Sequence, residues 1–349
     1  MPEVVALDED DLALAEALQR DPRAPWTTVA EVVGTNAVTA SRRWERLRGS
    51  GAAWVTGTPG PGSHHAQVLA YVDVTCIPSE KTRVAHELAR DAHALSVDIT
   101  AGGRDLLLTV AAVDLPTLGS YLLERLDRVP GVTGTRARIA TRLHAEGSTW
   151  RLGVLPANGA SGAAMPFIRP AVLDEVDREL MSALGEDGRA SYAALAAATG
   201  ISQPTARRRV DRLIGSGAVI LRTEVAAPLA GLPVMVVLSA DAPAGRLDDV
   251  ASRLGRLRQV RLSATLAGTP SLLVTAWLPS LEEVHRFEQE LVHHVPEADV
   301  VDRLVVLRSI KRMGRLLDTW GRATGTVRMD VWRQPVTSPS GETDDLVTL

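Results

Sequence analysis

The chain has 349 residues, of which 45% are hydrophobic and 23% charged, and its formal net charge is −4. This composition is typical of a globular protein, and the length accommodates two to four domains. The first residues lack a secretory pattern and no apolar run approaches the ~18 residues of a membrane span, so we expect a cytoplasmic protein. The slight negative charge argues against nucleic-acid binding unless the basic residues are clustered.

An internal repeat organises the whole sequence. The tripeptide Leu-Asp-Glu at residues 7–9 recurs at residues 173–175, and this offset of 166 positions aligns the two halves without a gap. The same register persists downstream to Pro130 and Pro296. Agreement of glycines, prolines and apolar runs over such a span predicts a tandem duplication.

Each half opens with a pattern of three helices. Residues 8–20 and 174–186 begin with an acidic turn and carry apolar residues at helical spacing. A short second helix ends at a glycine, and a polar side chain caps a third helix. The helix-ending glycines are Gly34 and Gly200, and the capping residues are Asn36 and Ser202. The third helices are expected to run to about Arg48 and Ile214. The order is that of a helix-turn-helix.

A segment rich in strands follows each helix-turn-helix pattern. Its apolar and amphipathic stretches occur in the order βαββαβ, which is the ferredoxin-like arrangement. The sequence therefore predicts an α+β protein in which winged or helix-turn-helix domains and ferredoxin-like domains are both duplicated. The predicted parts are a DNA-binding domain at 1–60, a sensing and dimerisation domain at 64–145, a linker at 146–170, a second DNA-binding domain at 171–224, a second sensing and dimerisation domain at 230–324, and a flexible tail at 325–349.

The third helices have the features of DNA recognition helices. Small polar residues lie at the N-terminal end and arginines lie behind them, which is typical of a helix that reaches base edges and holds phosphates. An inner face is expected to contain Val38, Trp44, Leu47, Ala206, Val210 and Leu213. The expected DNA contacts are Asn36, Thr39, Ser41, Arg42, Arg43 and Arg46 in the first half, and Ser202, Gln203, Thr205, Arg207, Arg208, Arg209 and Arg212 in the second.

A simpler interpretation of the arginines remains open, because they could form a solvated helix face balanced by Glu45 and Asp211. The two copies in register favour double-stranded DNA as the partner. The first copy is expected to be the weaker reader of bases, because Trp44 and the proline at its entry, Pro25, depart from the second copy.

Residues 173–219, LDEVDRELMSALGEDGRASYAALAAATGISQPTARRRVDRLIGSGAV, resemble the opening pattern of the Lrp/AsnC, or feast/famine, transcription regulators. The resemblance implies dimerisation through sheet packing, frequent octamers, and DNA binding modulated by an amino acid or other small metabolite. Family members usually carry one unit per chain, so the fused units are expected to form an intrachain pseudo-dimer that assembles into further homo-oligomers. Because the two reading heads differ, the operator need not be a perfect palindrome.

The family's effector loop follows the second sensor strand and usually has a glycine followed shortly by an aspartate. Gly102, Gly103 and Asp105 match this pattern, whereas the second half has Gly268 and, in place of the aspartate, Ser271. The resemblance implies that the carboxylate accepts from a ligand amine and that the backbone amides hold a ligand carboxylate. An ordinary hairpin turn is the alternative.

An enzyme is a further alternative, because siroheme decarboxylases, including a fused form, share this architecture. They hold a tetrapyrrole with His, Tyr and Arg, but the equivalent strand pairs at 98–110 and 263–277 contain no His or Tyr. The histidine pairs at 64–65 and 293–294 lack the spacing of a metal site. We therefore expect no catalytic activity, cofactor or metal. A metabolite-binding protein that has lost its DNA contacts is the third reading.

Overall fold

The structure is a computed structural model that describes residues 6–60, 67–156, 172–335 and 346–348. The first half contains α1 (Glu9–Arg20), α2 (Trp26–Val33), α3 (Ala37–Gly49), β1 (Ala53–Pro59), β2 (Val68–Cys76), α4 (Lys81–Leu88), β3 (Ala94–Ala101), β4 (Leu106–Ala112), α5 (Leu115–Ser120) and β5 (Val132–Ala145). The second half contains α6 (Glu175–Glu186), α7 (Tyr192–Thr199), α8 (Gln203–Gly215), β6 (Val219–Val225), β7 (Val234–Asp241), α9 (Leu247–Leu254), β8 (Val260–Leu266), β9 (Leu272–Leu278), α10 (Glu282–His294), β10 (Asp299–Arg312), β11 (Arg315–Leu317), β12 (Ala323–Val327) and β13 (Leu346–Thr348).

Three helices and a strand form each helix-turn-helix domain, which we call a head: α1–α3 with β1 form the first head, and α6–α8 with β6 the second. Gly34 and Gly200 adopt left-handed conformations with φ of 71° and 67°, which end α2 and α7. The side chains of Asn36 and Ser202 accept from the backbone N–H three residues on, at the start of α3 and α8. The predicted caps are therefore confirmed.

The inner face of α3 differs from the expected one at Val38, whose side chain is 70% exposed. Ala40, Trp44 and Leu47 are buried instead. At ~100° per residue, Val38 lies about 180° around the helix from Leu47, so the two cannot share a face. In α8 the expected inner residues Ala206, Val210 and Leu213 are all buried.

The two sensor domains, β2–β5 and β7–β10 with their helices, each have the ferredoxin-like strand order. The first sheet runs β5-β2-β4-β3 and the second β10-β7-β9-β8, each with antiparallel neighbours. Helices α4 and α5 cover one face of the first sheet and α9 and α10 one face of the second. The predicted fold class, with both domain types duplicated, is confirmed.

The two sheets join edge to edge within the chain. Strand β5 pairs with β8, and β10 pairs with β3, so that eight of the described strands close into a barrel. The pair Ala140–Leu266 corresponds through the repeat offset to the pair Val306–Thr100. The second faces of the sheets enclose an interior in which the apolar side chains around Tyr71 lie beside the buried ion pair of Asp73 with Arg138.

The heads are also joined to each other through a two-stranded antiparallel ladder between β1 and β6. Thr56 lies opposite Arg222 at the centre of this ladder, and these two positions are equivalent in the repeat. Both recognition helices are therefore attached to one short sheet, in equivalent positions about its centre.

The stretches that follow β5 and β10 are more ordered than expected. Residues 146–156, which we name the first bridging segment, bury Trp150, and the Glu16 carboxylate of α1 accepts from the backbone of Val154. Residues 313–335, the second bridging segment, include β12 and bury Val331. The expectations of a simple linker at 146–170 and a flexible tail at 325–349 are therefore wrong for their described parts, because buried side chains anchor them. The remainder, 157–170, 336–345 and 349, lies outside the described residues, as does the histidine pair at 64–65.

Candidate nucleic-acid interface

The side chains that were expected to contact DNA have different roles in the structure, which the residue spacing along the helices did not distinguish. Asn36 and Ser202 use their side chains as helix caps. Thr39 and Gln203 are exposed, and Ser41 and Thr205 are half-buried. The arginines Arg42, Arg207 and Arg208 are exposed as well.

Four of the expected arginines bind the first helix of their own head. Arg43 and Arg46 contact the Asp11 carboxylate at 2.9 and 2.6 Å, and the side chain of Asp11 is only 3% exposed. In the second head, Asp177 receives Arg209 at 2.8 Å and Arg212 at 2.5 Å. These pairs lock the recognition helix against α1 or α6. The geometry thus corrects the expectation that all these arginines point freely at DNA.

Additional carboxylates strengthen this contact at the start of each first helix. Arg209 also reaches Asp174, the N-cap residue of α6, at 2.7 Å. The hydrogen bond from Arg209, together with that from the backbone N–H of Asp177, holds the pKa of the Asp174 carboxyl below its usual value. In the first head, Arg43 contacts the equivalent Asp8 at 2.6 Å.

Two equivalent arginines keep free guanidinium groups. Within the described parts of the chain, no hydrogen bond or ion pair involves the side chain of Arg42 or Arg208, and both residues are exposed. Arg207 pairs loosely with Asp211 at 3.8 Å and lies 5.8 Å from the centre of the Tyr192 ring, and its side chain is 70% exposed. These three arginines have the geometry that phosphate or base recognition requires.

The two heads also bind each other directly, through a reciprocal pair of arginines. Arg23 donates to the carbonyl oxygens of Gly188 and Ala190 at 2.7 and 2.9 Å. Arg189 donates to the carbonyl oxygens of Pro22 and Ala24 at 2.7 and 3.0 Å. Arg23 lies over the Tyr192 ring and Arg189 over the Trp26 ring. We name these contacts of Arg23 and Arg189 the arginine clamp. The repeat offset makes the two arginines equivalent, but it does not reveal that they bind opposite heads.

A buried charged cluster joins the second head to the barrel. The Glu224 carboxylate on β6 accepts from Arg222 and Arg261, and Arg261 lies 3.7 Å from the centre of the Trp277 ring. Burial, only partly offset by Glu224, lowers the pKa of Arg261 to about 10. The first bridging segment completes the cluster with Trp150, whose ring centre lies 4.7 Å from the Arg261 guanidinium and 5.2 Å from the ring centre of Trp277. This cluster connects head, barrel and bridging segment.

The expected effector loops make structural contacts of their own. Asp105 accepts from the backbone N–H of Cys76 at 2.8 Å and pairs with Lys81 at 2.6 Å. At the equivalent place, the Ser271 hydroxyl accepts from the backbone N–H of Ala242 at 3.3 Å. Both side chains thus tie the loop to the end of a neighbouring strand. Gly102 and Gly268, with φ of 111° and 117°, make the turns; Gly103, between Gly102 and Asp105, has no neighbouring atom within 4 Å of an added Cβ.

Two small cavities lie between the described residues. The two best-formed cavities have volumes of about 10 and 20 Å³, which is the space of a water molecule. One lies beside Met181 and Trp332, the other beside Trp54 and Arg315. No group of three His, Cys, Asp or Glu side chains within the described ranges has the arrangement of a metal site. In the same ranges, no helix is long and apolar enough to span a bilayer.

Comparison with known proteins identifies the family. The profile of the AsnC-type helix-turn-helix domain matches residues 7–48 and 173–214, and that of the Lrp/AsnC ligand binding domain matches residues 69–150. The HTH-type transcriptional regulator AldR of Mycobacterium tuberculosis is 31% identical over 142 residues, which are 40% of this chain and 78% of AldR. The chain belongs to the Lrp/AsnC family. It is therefore a DNA-binding transcription regulator of the Lrp/AsnC type with a ligand-binding domain, as the sequence predicted.

Other Lrp/AsnC relatives align with about one half of the chain. An uncharacterised HTH-type transcriptional regulator of Pyrococcus horikoshii, PH0140, is 26% identical over 151 residues, which are 43% of this chain and 95% of that protein. The fused, two-unit architecture has a counterpart among solved structures. The siroheme decarboxylase NirDL, in complex with an iron-uroporphyrin III analogue, superposes with a TM-score of 0.57 over 88% of this chain and 93% of its own, at 12% identity. That likeness concerns the fold.

Proposed function

We propose that a single chain acts as a complete operator-reading unit, an intrachain pseudo-dimer whose two heads bind double-stranded DNA together. The observation that carries this proposal is the fixed arrangement of the heads. The β1–β6 ladder and the arginine clamp join them, and each presents a free arginine at the equivalent position, Arg42 and Arg208. An Lrp/AsnC regulator with one unit per chain would need a second copy to achieve this.

The contacts divide by chemistry. Arg42 and Arg208 bind phosphates, which supplies affinity and its salt dependence. Thr39 and Ser41 in the first head, and Gln203, Thr205 and Arg207 in the second, face base edges. Arg43, Arg46, Arg209 and Arg212 act mainly by holding the recognition helices in place, because their guanidinium groups are bound to carboxylates.

We further propose that an amino acid or similar small metabolite modulates DNA binding from the sensor domains. The family's ligand-binding domain supports this assignment. We place the ligand site at the loops of Gly102–Asp105 and Gly268–Ser271, completed by another copy of the chain, because these loops match the family's effector pattern. Effector binding and homo-oligomerisation are then linked. The protein would act in the cytoplasm.

A siroheme decarboxylase-like activity is the second candidate, and the shared two-unit fold favours it. The barrel interior argues against it, because side chains such as Tyr71 and Leu304 fill the space inside the strands. A Soret band on addition of siroheme, together with no retention of DNA, would support the enzyme over the regulator. We expect the opposite pair of results.

Selection of genomic DNA fragments by the full chain, with and without pooled amino acids, tests the proposal. We expect enrichment of a defined set of fragments and a change in that set, or in its recovery, when amino acids are present. Enrichment without sequence preference would contradict the operator-reading role. A set unchanged by amino acids would contradict modulation by these effectors while leaving DNA reading intact.

A further inference from the structure

The first turns of the two recognition helices present different chemistry. In α3, Val38 is a large apolar side chain with 70% of its surface exposed, and Thr39 beside it is also exposed. In α8 the position equivalent to Val38 is Pro204, and it is flanked by the exposed Gln203. One turn further, Ser41 of the first head corresponds to Arg207 of the second. The duplicated heads have therefore diverged where a recognition helix meets bases.

An exposed valine at this place has a specific partner in DNA. The N-terminal residues of a recognition helix lie against base edges in the major groove. The apolar group available there is the C5-methyl of thymine, which small apolar side chains contact. Val38 lies opposite the buried face of Trp44 and Leu47, so no packing in the head explains its side chain. Burial against a thymine methyl would remove this apolar surface from water.

The second head carries hydrogen-bonding groups instead. A glutamine side chain forms a bidentate pair with the N6 and N7 atoms of adenine, and an arginine pairs with the O6 and N7 atoms of guanine. Gln203 is exposed, and the loose contact of Arg207 with Asp211 leaves the Arg207 guanidinium available. This head is suited to purines.

We infer that the first head reads thymine methyl groups through Val38 while the second reads purines through Gln203 and Arg207, so that one chain binds its operator in a single orientation. The inference rests on the proposed DNA-reading function and specifies it. Because the ladder and the clamp fix the order of the heads, the two unlike half-sites give the bound protein a defined direction on the DNA.

Selection from a random double-stranded DNA library with the full chain supplies the site to be tested. Deoxyuridine, which lacks the methyl group, then replaces thymine in one half-site at a time. We expect about a fourfold loss of affinity per methyl contact in one half-site only. The variant Val38→Ala loses this sensitivity, whereas Val301→Ala, an exposed valine on a sensor strand, retains it. Equal affinity for thymine and deoxyuridine sites would overturn the role of Val38.

A head conversion tests the asymmetry itself. The triple variant Gln203→Ala, Pro204→Val, Arg207→Ser gives the second helix the residues that the first helix has at these three positions, Ala37, Val38 and Ser41. We expect its selected sites to become inverted repeats of the thymine-containing half-site, whereas the unchanged protein selects two unlike half-sites. An inverted repeat already selected by the unchanged protein would overturn the inference and leave the DNA-reading function standing. Failure of the unchanged protein to select any sequence would instead overturn the proposed function.

Discussion

Neighbouring side chains of the same type can have different roles on one helix. Arg208 and Arg209 are neighbours on α8, yet Arg209 meets the buried Asp177 and Arg208 meets solvent. The difference arises because the Asp177 carboxylate of α6 lies within contact distance of Arg209 but not of Arg208. A buried carboxylate that loses its donors costs about 1–3 kcal/mol.

Arg208→Ala and Arg209→Ala should therefore have separable effects. We expect Arg208→Ala to weaken binding to all DNA sequences and to reduce the slope of log K against log salt by about 0.9, because one phosphate contact is lost. Its thermal unfolding should be unchanged. Arg209→Ala should lower the unfolding temperature, since Asp177 loses a donor. Salt titrations of DNA binding and calorimetry on both variants distinguish the two roles, and the same loss of stability in both would refute the division.

The depressed pKa of Asp174 predicts a dependence of stability on pH. The ionised carboxyl stabilises the folded head above its usual pKa of 3.8, and this contribution is lost as the pH falls through the lower folded value. Asp174→Asn keeps a good N-cap but removes the charge. We expect the variant to unfold at a lower temperature than the wild type at pH 6, and the difference to shrink as the pH falls below 3.8. A difference that grows with acidity would contradict this assignment.

Residue periodicity predicted part of the site and missed the rest for definable reasons. Caps depend on local chemistry, so Asn36 and Ser202 could be identified from their positions before the third helices. The partners of Arg43 and Arg209 lie more than 30 residues away on another helix, and helical spacing contains no information about them. The exposed Val38 was assigned to the core because its hydrophobicity was given more weight than its angle around the helix.

At the scale of elements, the arginine clamp fixes one head against the other. Each arginine spans from one head to two carbonyl oxygens of its counterpart, while its ring partner limits its movement. Because the heads are also joined by the β1–β6 ladder, the clamp restricts how far they can rotate about that ladder. The distance between the recognition helices should therefore have a narrow range.

Replacing both clamp arginines tests this restriction. The double variant Arg23→Met, Arg189→Met keeps apolar stems and removes the donors. We compare the affinity for an operator of natural half-site spacing with that for an operator lengthened by one base pair. The ratio of the two affinities should fall about tenfold in the variant, because charge-assisted hydrogen bonds of ~1.5–3 kcal/mol each are removed. Arg90→Met, at an exposed arginine of the first sensor, is the control. Competition binding measures both, and undiminished discrimination would refute the role of the clamp.

The second bridging segment stabilises the junction of the second head and the first sensor. Val331 is fully buried against Leu95 and Ala111, and the Val113 amide donates to its carbonyl oxygen at 2.8 Å. We expect Val331→Ala to reduce the free energy of unfolding by about 1.5–3 kcal/mol. Val172→Ala, at a side chain 92% exposed, should change it little. Denaturant unfolding compares the two, and equal effects would show that the segment contributes nothing to stability.

At the scale of the whole molecule, the repeat predicted both copies of both domains because each copy carries its own hydrophobic periodicity. It did not predict which strands close the barrel. Strand β5 could pair with β8 of its own chain or of another chain with the same local sequence, and only the connection between the halves decides. The sequence does not reveal the bridging segments, because residues 144–170 are rich in glycine, alanine and proline, as a linker is, and residues 325–349 are polar.

A complete reading unit in one chain predicts simple binding behaviour. In dilute solution we expect one chain per operator and a Hill coefficient of one. Scrambling the sequence of either half-site should reduce the affinity for the operator by about 100-fold or more. The head that binds the scrambled half-site then no longer benefits from the high effective concentration that its bound neighbour provides. Analytical ultracentrifugation of the protein–DNA complex gives the stoichiometry. A requirement for two chains per operator would contradict the intrachain arrangement.

The closed barrel also affects which other proteins the chain can pair with in the cell. A regulator built from separate subunits can exchange them with paralogues, and mixed dimers then recognise mixed sites. Here the edges that would accept a foreign subunit, β3, β5, β8 and β10, are already paired within the chain. Exchange of a subunit through these edges would require that pairing to break, so we expect the output of the protein to depend on its own abundance without dilution by related regulators.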